Sequence, residues 1–98
     1  MIFRLRDVAQ VWGIAGDWIP DVPVTGWSAD TRTLQPGDLF FALRGPNFDG
    51  HDFAAQAREK GACAMVADRP APVEMPVLWV DDVLEALQRL AGWARLQW

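Results

Sequence analysis

The run Leu39-Phe40-Phe41-Ala42-Leu43 narrows the choice of fold more than any other part of the chain. Its apolar residues have no polar break, and turn residues close it at both ends: Gln35-Pro36-Gly37-Asp38 in front, Arg44-Gly45-Pro46 behind. A strand with one wet face alternates apolar and polar side chains, so an unbroken run reads as a strand covered on both faces and central in its sheet. Pro36 and Gly37 occupy the two middle positions that a type II turn asks for. Behind the strand, Arg44 to His51 reads as a loop leading into a helix that starts at Asp49 or Asp52. Loops between the carboxyl end of a strand and the amino end of a helix are where α/β folds place anionic ligands, because unpaired backbone N–H groups point there.

The flanking segments supply the rest of such a fold. Leu5, Val8, Ala9 and Trp12 share a helical face within Arg4 to Trp12, and Gly13 ends that helix. Ile14 to Pro23 reads as connection with one short edge strand around Trp18, and Val24 to Ser28 as a strand feeding the turn Asp30-Thr31-Arg32, whose Asp and Thr side chains can bond the local backbone. Phe53 to Lys60 reads as a helix with Phe53 and Ala57 on one face, closed by Gly61. Ala62 to Ala67 is a buried strand, Asp68 to Pro76 a proline-rich surface loop, and Val77 to Val80 the last strand. From Asp81 or Asp82, which can cap it, an amphipathic helix runs to the end with Val83, Leu84, Leu87, Leu90, Ala91, Ala94 and Trp98 on one face. Trp93 and Leu96 fall off that stripe, so an exposed apolar patch is expected there. The helix reaches Trp98 without a C-cap signal, which reads as a cut at a domain border. The expectation is one α/β domain over residues 1–98, with a mixed or largely parallel sheet and helices on its faces.

Composition removes several functions. The net charge is −4 and the nine basic residues are scattered singly, so the clustered cationic footprint of a nucleic-acid binder is missing. No apolar run approaches the roughly 20 residues of a membrane span, and no signal-peptide core follows Met1. A soluble cytoplasmic chain with no nucleic-acid or membrane partner is expected. The single cysteine, Cys63, has no intrachain disulfide partner and reads as a small buried hydrophobe in a strand. Six tryptophans in 98 residues serve the core, an interface with another domain, or both.

Catalytic chemistry is sparse. His51 is the only histidine, so a Cys–His nucleophile pair and a protein metal site both lack residues. Asp49 and Asp52 lie at a helix start, where a cap outweighs acid–base work. Lys60 is the only lysine and is followed by Gly61-Ala62, so these residues hold no phosphate-cradling P-loop.

The ordered series Asp30-Thr31-Arg32, Pro36-Gly37-Asp38-Leu39-Phe40-Phe41-Ala42-Leu43 and Asp49-Gly50-His51-Asp52-Phe53 resembles the amino-terminal domain of the Mur ligases. The likeness continues through Gly61 to Val66 and Val80-Asp81-Asp82. Leu5 to Gln10 and Leu90 to Arg95 favour the MurF type over the MurE type. The resemblance implies a domain that binds the UDP moiety of UDP-N-acetylmuramoyl-tripeptide within a ligase that adds D-alanyl-D-alanine in peptidoglycan synthesis. It also implies a central ATPase domain and a carboxyl-terminal domain, neither within these residues. ATP and magnesium would serve the full-length enzyme, while this chain alone holds no cofactor and is inactive. Carried over by position, Thr31 contacts the diphosphate, Ala29 lines the uridine site, and Pro46, Asn47 and Phe48 surround the uracil, where MurE-type chains often carry His-Gln-Ala. Asp30 and Arg32 flank Thr31, Gly45 allows close backbone approach, and Asp49-Gly50 closes the loop.

Each of these residues also has a structural reading. Thr31 can close an ST turn, Arg32 can tie the turn to a carboxylate, Phe48 can belong to the core, and Asp49-Gly50 is a common turn pair. The rivals are therefore the equivalent MurE-type domain and a non-catalytic protein-interaction module that kept the fold.

Overall fold

In the computed structural model, which describes residues 3–46, 49–70 and 73–97, the apolar run is strand β4, Asp38–Phe41, with all four residues buried. It lies inside a four-stranded sheet between β3 (Gly26–Ser28) and β5 (Ala64–Ala67), with β6 (Val77–Trp79) beyond β5, and every pairing is parallel. Leu39, Phe40 and Phe41 pair with Ala64, Met65 and Val66. Side chains alternate across a strand, so this register sorts the core into two layers. Leu39, Phe41, Ala64, Val66 and Leu78 pack with helices α1 (Leu5–Gln10) and α3 (Val83–Leu96). Phe40, Ala42, Met65 and Ala67 pack on the opposite face with Leu34 and with Ala54 and Ala57 of helix α2 (Ala54–Glu59). A largely parallel α/β domain is what the sequence led us to expect.

Short devices hold the layers. The expected turn forms, with the Asp38 N–H donating to the Gln35 carbonyl at 3.0 Å. The nearly buried Asp38 carboxylate accepts from the Gln35 N–H at 2.9 Å. After α1, Gly13 (φ 73°) and Ile14 donate to the carbonyls of Gln10 and Ala9, and after α2, Gly61 (φ 93°) and Ala62 donate to those of Arg58 and Ala57. Both patterns are Schellman closures, which need the left-handed conformation that glycine adopts without a Cβ penalty. The Asp82 carboxylate caps α3 by accepting from the Glu85 N–H at 3.0 Å. Trp12 lies edge-on to Phe41, with ring centroids 5.9 Å apart, and donates its indole N–H to the Ala86 carbonyl at 2.9 Å, tying α1 to α3.

Five expectations need correction. No strand forms around Trp18, which is exposed; Ile19 is the buried anchor there, and Arg6 donates to its carbonyl at 2.7 Å. The anticipated strand over 24–28 is divided: β2 (Pro23–Val24) pairs antiparallel with β1 (Phe3–Arg4), and only Gly26–Ser28 joins the main sheet. Arg4 therefore belongs to β1 and not to the helix, and its guanidinium meets Asp21 at 3.0 Å. On α3 the buried face is Val83, Ala86, Leu90 and Ala94, with Leu84 half exposed to solvent. Trp93 packs on Phe3, centroids 4.9 Å apart, so of the anticipated apolar patch only Leu96 stands clear, at 83% exposure. Trp98 lies outside the described residues. Among the described residues no helix is long and apolar enough to cross a membrane.

Candidate functional site

The carboxyl end of β3 runs straight into a turn held by the hydroxyls of Ser28 and Thr33 and by the Asp30 carboxylate. The Asp30 N–H donates to Ser28 Oγ at 3.0 Å, and the Thr33 N–H and hydroxyl both reach the Asp30 carbonyl, at 3.1 and 3.2 Å. Asp30 accepts from the Arg32 N–H at 2.9 Å and from its guanidinium at 2.8 to 3.1 Å. The Arg32 side chain and backbone hydrogen bonds hold the Asp30 carboxyl down at about 2. Arg32 thus ties the turn to its own carboxylate, the structural reading of that residue. Thr31 points the other way: it is buried at 6% exposure, and its hydroxyl donates to Gln56 Oε1 on α2 at 3.0 Å.

The loop after β4 returns against the strand it left. Arg44 and Asp49 form an isolated antiparallel bridge, and the Gly50 N–H donates to the Leu43 carbonyl at 2.6 Å. A Cβ on Gly50 would lie 2.7 Å from the Leu43 oxygen and 2.8 Å from its nitrogen, so only glycine fits against this backbone. Asp49, not Asp52, caps the following 3-10 turn, Gly50–Phe53, by accepting from the His51 N–H at 3.0 Å. His51 is buried between two carboxylates. Its Nδ1 lies 2.7 Å from Asp49 Oδ1, and its Nε2 lies 3.2 Å from Asp68 Oδ1 at an angle that makes no hydrogen bond. Arg69 contacts the other Asp49 oxygen. Burial pushes the Asp49 carboxyl up, but the His51 backbone and ring together with Arg69 outweigh it, and the net shift is downward. Among the described residues no group of His, Cys, Asp and Glu could hold a metal ion.

Between the turn and the start of α2 lies a cleft of about 710 Å³, floored by Phe40. Ala29, Asp30, Thr31, Arg32 and Gly50 from the expected site line it. Half-buried Gly45, exposed Pro46 and capping Asp49 sit on the returning loop but are not part of this wall. Asn47 and Phe48 lie outside the described residues. The sequence reading missed Ser28, Thr33, Phe40, Phe53 and Gln56 as lining residues. The spacing of Phe53 and Gln56, three apart at a helix start, was the available signal: it puts both on one side, while Ala54 and Ala57 take the core. Cys63 precedes β5 instead of lying within it, and burial raises its thiol to about 11.

Known proteins share both the sequence and the shape. The UDP-N-acetylmuramoyl-tripeptide–D-alanyl-D-alanine ligase of Escherichia coli (strain K12) is 46% identical over 77 residues, which are 79% of this chain and 17% of that protein. The UDP-N-acetylmuramoyl-L-alanyl-D-glutamate–2,6-diaminopimelate ligase of Mesorhizobium japonicum is 45% identical over 87 residues, 86% of this chain and 18% of that one. The chain thus spans less than one fifth of the length of these relatives. A crystal structure of MurF from Acinetobacter baumannii superposes with a TM-score of 0.86 and 31% identity, covering 99% of this chain and 22% of that one. Residues 23–94 match the family described as "Mur ligase family, catalytic domain". Sequence, sheet topology and backbone shape therefore agree that this chain belongs to the Mur ligase family.

Proposed function

We propose that the cleft beside Thr31 holds the UDP end of UDP-N-acetylmuramoyl-tripeptide, and that the chain is the amino-terminal domain of a MurF-type ligase adding D-alanyl-D-alanine. The observation that carries this reading is the cleft itself. It opens at the carboxyl edge of a parallel sheet, where α/β folds take their ligands, and its volume of about 710 Å³ falls in the range of small-molecule sites. Its two sides suit the two parts of a nucleotide. The turn of Ser28, Thr31 and Thr33 supplies polar groups beside the diphosphate, while Phe40 and Phe53 give apolar surface. Asp30, Arg32, Gly45, Asp49 and Gly50 shape the surrounding backbone, and Ala29, Pro46, Asn47 and Phe48 are assigned to the uridine end.

The overall charge repels a diphosphate, so the domain binds through local donors and binds weakly by itself. It catalyses nothing alone. ATP and magnesium act in a P-loop-bearing ATPase domain of the same protein, outside these residues. A MurE-type role is the second reading, favoured by the 45% identity to the Mesorhizobium protein. Titration of the 98-residue chain with UDP, followed by amide shifts, tests the site: shifts confined to residues 28–33 and 50–56 support it, and no shifts at millimolar UDP refute it. A longer chain carrying the ATPase domain, offered D-alanyl-D-alanine or a diamino acid, separates MurF from MurE.

A further inference from the structure

The Thr31–Gln56 contact assigns the work inside the cleft differently from what either residue suggests alone. A threonine hydroxyl has one hydrogen to donate. Thr31 is buried, and among the described residues Gln56 Oε1, at 3.0 Å, is the acceptor for that hydrogen. Leaving a buried hydroxyl hydrogen without an acceptor is costly, so Gln56 presents its oxygen to Thr31. A planar carboxamide then has no choice about its other end: Nε2, with two N–H donors, points away from Thr31. No described residue accepts from it, while both residues line the cleft. The turn adds no competing cation there, because the Arg32 guanidinium is held by Asp30.

We propose that Gln56 is a ligand-contacting residue whose Nε2 donates to a phosphate oxygen of a nucleoside diphosphate, and that Thr31 is the positioning residue that turns the carboxamide toward it. This rests on the nucleotide reading of the cleft and deepens it. The diphosphate then lies against α2 as well as against the turn after β3, so the ligand bridges the two connections that leave the sheet.

The test compares UDP with uridine, which lacks the phosphates, for the wild-type chain and four variants, each Kd expressed per folded molecule by NMR. Gln56→Ala should weaken UDP binding about tenfold to a hundredfold, the range for a hydrogen bond to a charged group, and leave uridine binding unchanged. Gln56→Glu keeps an acceptor for Thr31 but loses the donors and adds a like charge, so it should lose at least as much. Thr31→Val should lose less than Gln56→Ala, and the double variant should bind no worse than Gln56→Ala alone. Unchanged UDP affinity in Gln56→Ala overturns the assignment, as does a parallel fall for uridine. A Thr31→Val loss equal to or greater than that of Gln56→Ala, or additive losses in the double variant, would instead make Thr31 the direct donor. If the wild-type chain binds no UDP, the nucleotide reading falls and this assignment with it; if it binds and Gln56 is indifferent, only the assignment falls.

Discussion

Adding one methyl group at Gly50 and one at Gly92 should move stability in opposite directions. At Gly50 the new Cβ would sit 2.7 Å from the Leu43 oxygen, 2.8 Å from the Leu43 nitrogen and 2.9 Å from the Ala42 carbonyl carbon. All three are backbone atoms at the end of a buried strand, so no side chain can swing aside. Relieving such overpacking costs about 1–3 kcal/mol, and stretching the 2.6 Å bond from Gly50 to Leu43 costs about 0.5–1.5 kcal/mol more. The smaller entropy of the unfolded alanine chain returns about 0.4–1 kcal/mol. The net loss is about 0.5–4 kcal/mol, and its midpoint of about 2 kcal/mol lowers Tm by about 8–16 °C for a domain of this size. Gly92 lies inside α3 with nothing within 4 Å of its would-be Cβ. Alanine there should gain about 1 kcal/mol of helix propensity and raise Tm by about 4–8 °C. Thermal melts followed by circular dichroism on the parent and both variants check the pair. A Gly50→Ala protein that melts at or above the parent would refute the close-packing argument, and with it the account of how the loop is held against β4.

Three further outcomes follow from the ionisable groups. The Asp30 carboxyl should titrate near 2 by NMR, below its ordinary 3.8; the ion pair's contribution is complete above the ordinary value and lost as pH falls toward 2, and Arg32→Ala should return the midpoint toward the ordinary value. Cys63, raised by burial to about 11, should stay a thiol at pH 8 and react with iodoacetamide much more slowly than a free cysteine; rapid alkylation of the folded chain would contradict its placement. His51→Leu removes the ring from between Asp49 and Asp68 and should cost about 1–3 kcal/mol, the range for losing a hydrogen bond to a charged group such as the Asp49 carboxylate, visible as a lower urea midpoint.

The sheet was legible because its key strand advertises itself. Leu39 and Phe41 face one layer and Phe40 the other, so an apolar residue is needed at every position, and the turn and glycine signals around it have local causes. The missed features lack local causes. The pairing of β1 with β2 is two residues long and depends on Ile19 and Arg6 anchoring the chain between, which no period in residues 14–23 announces. On α3, Leu84 counts as more hydrophobic than Ala86, yet Ala86 is the one buried, because Trp12 crosses at that point and bonds its carbonyl. The same blindness applied to the cleft. The turn Ala29–Arg32 and Gly50 could be named from sequence, but Gln56 became visible only once a contact across 25 residues placed it beside Thr31.

The layer between α2 and the sheet is built largely from methyl groups: Ala42 and Ala67 on the strands, Ala54 and Ala57 on the helix. Small side chains set the spacing between helix and sheet, and that spacing positions Gln56 of α2 and Phe53, the residue that leads into it, beside the cleft. A single larger residue at Ala57 would act as a shim, lifting the wall of the cleft away from the turn opposite, although Ala57 itself does not line the cleft. The width of the cleft is therefore exposed to drift at positions that do not line it, and sequence changes among those alanines should be read as changes in that width.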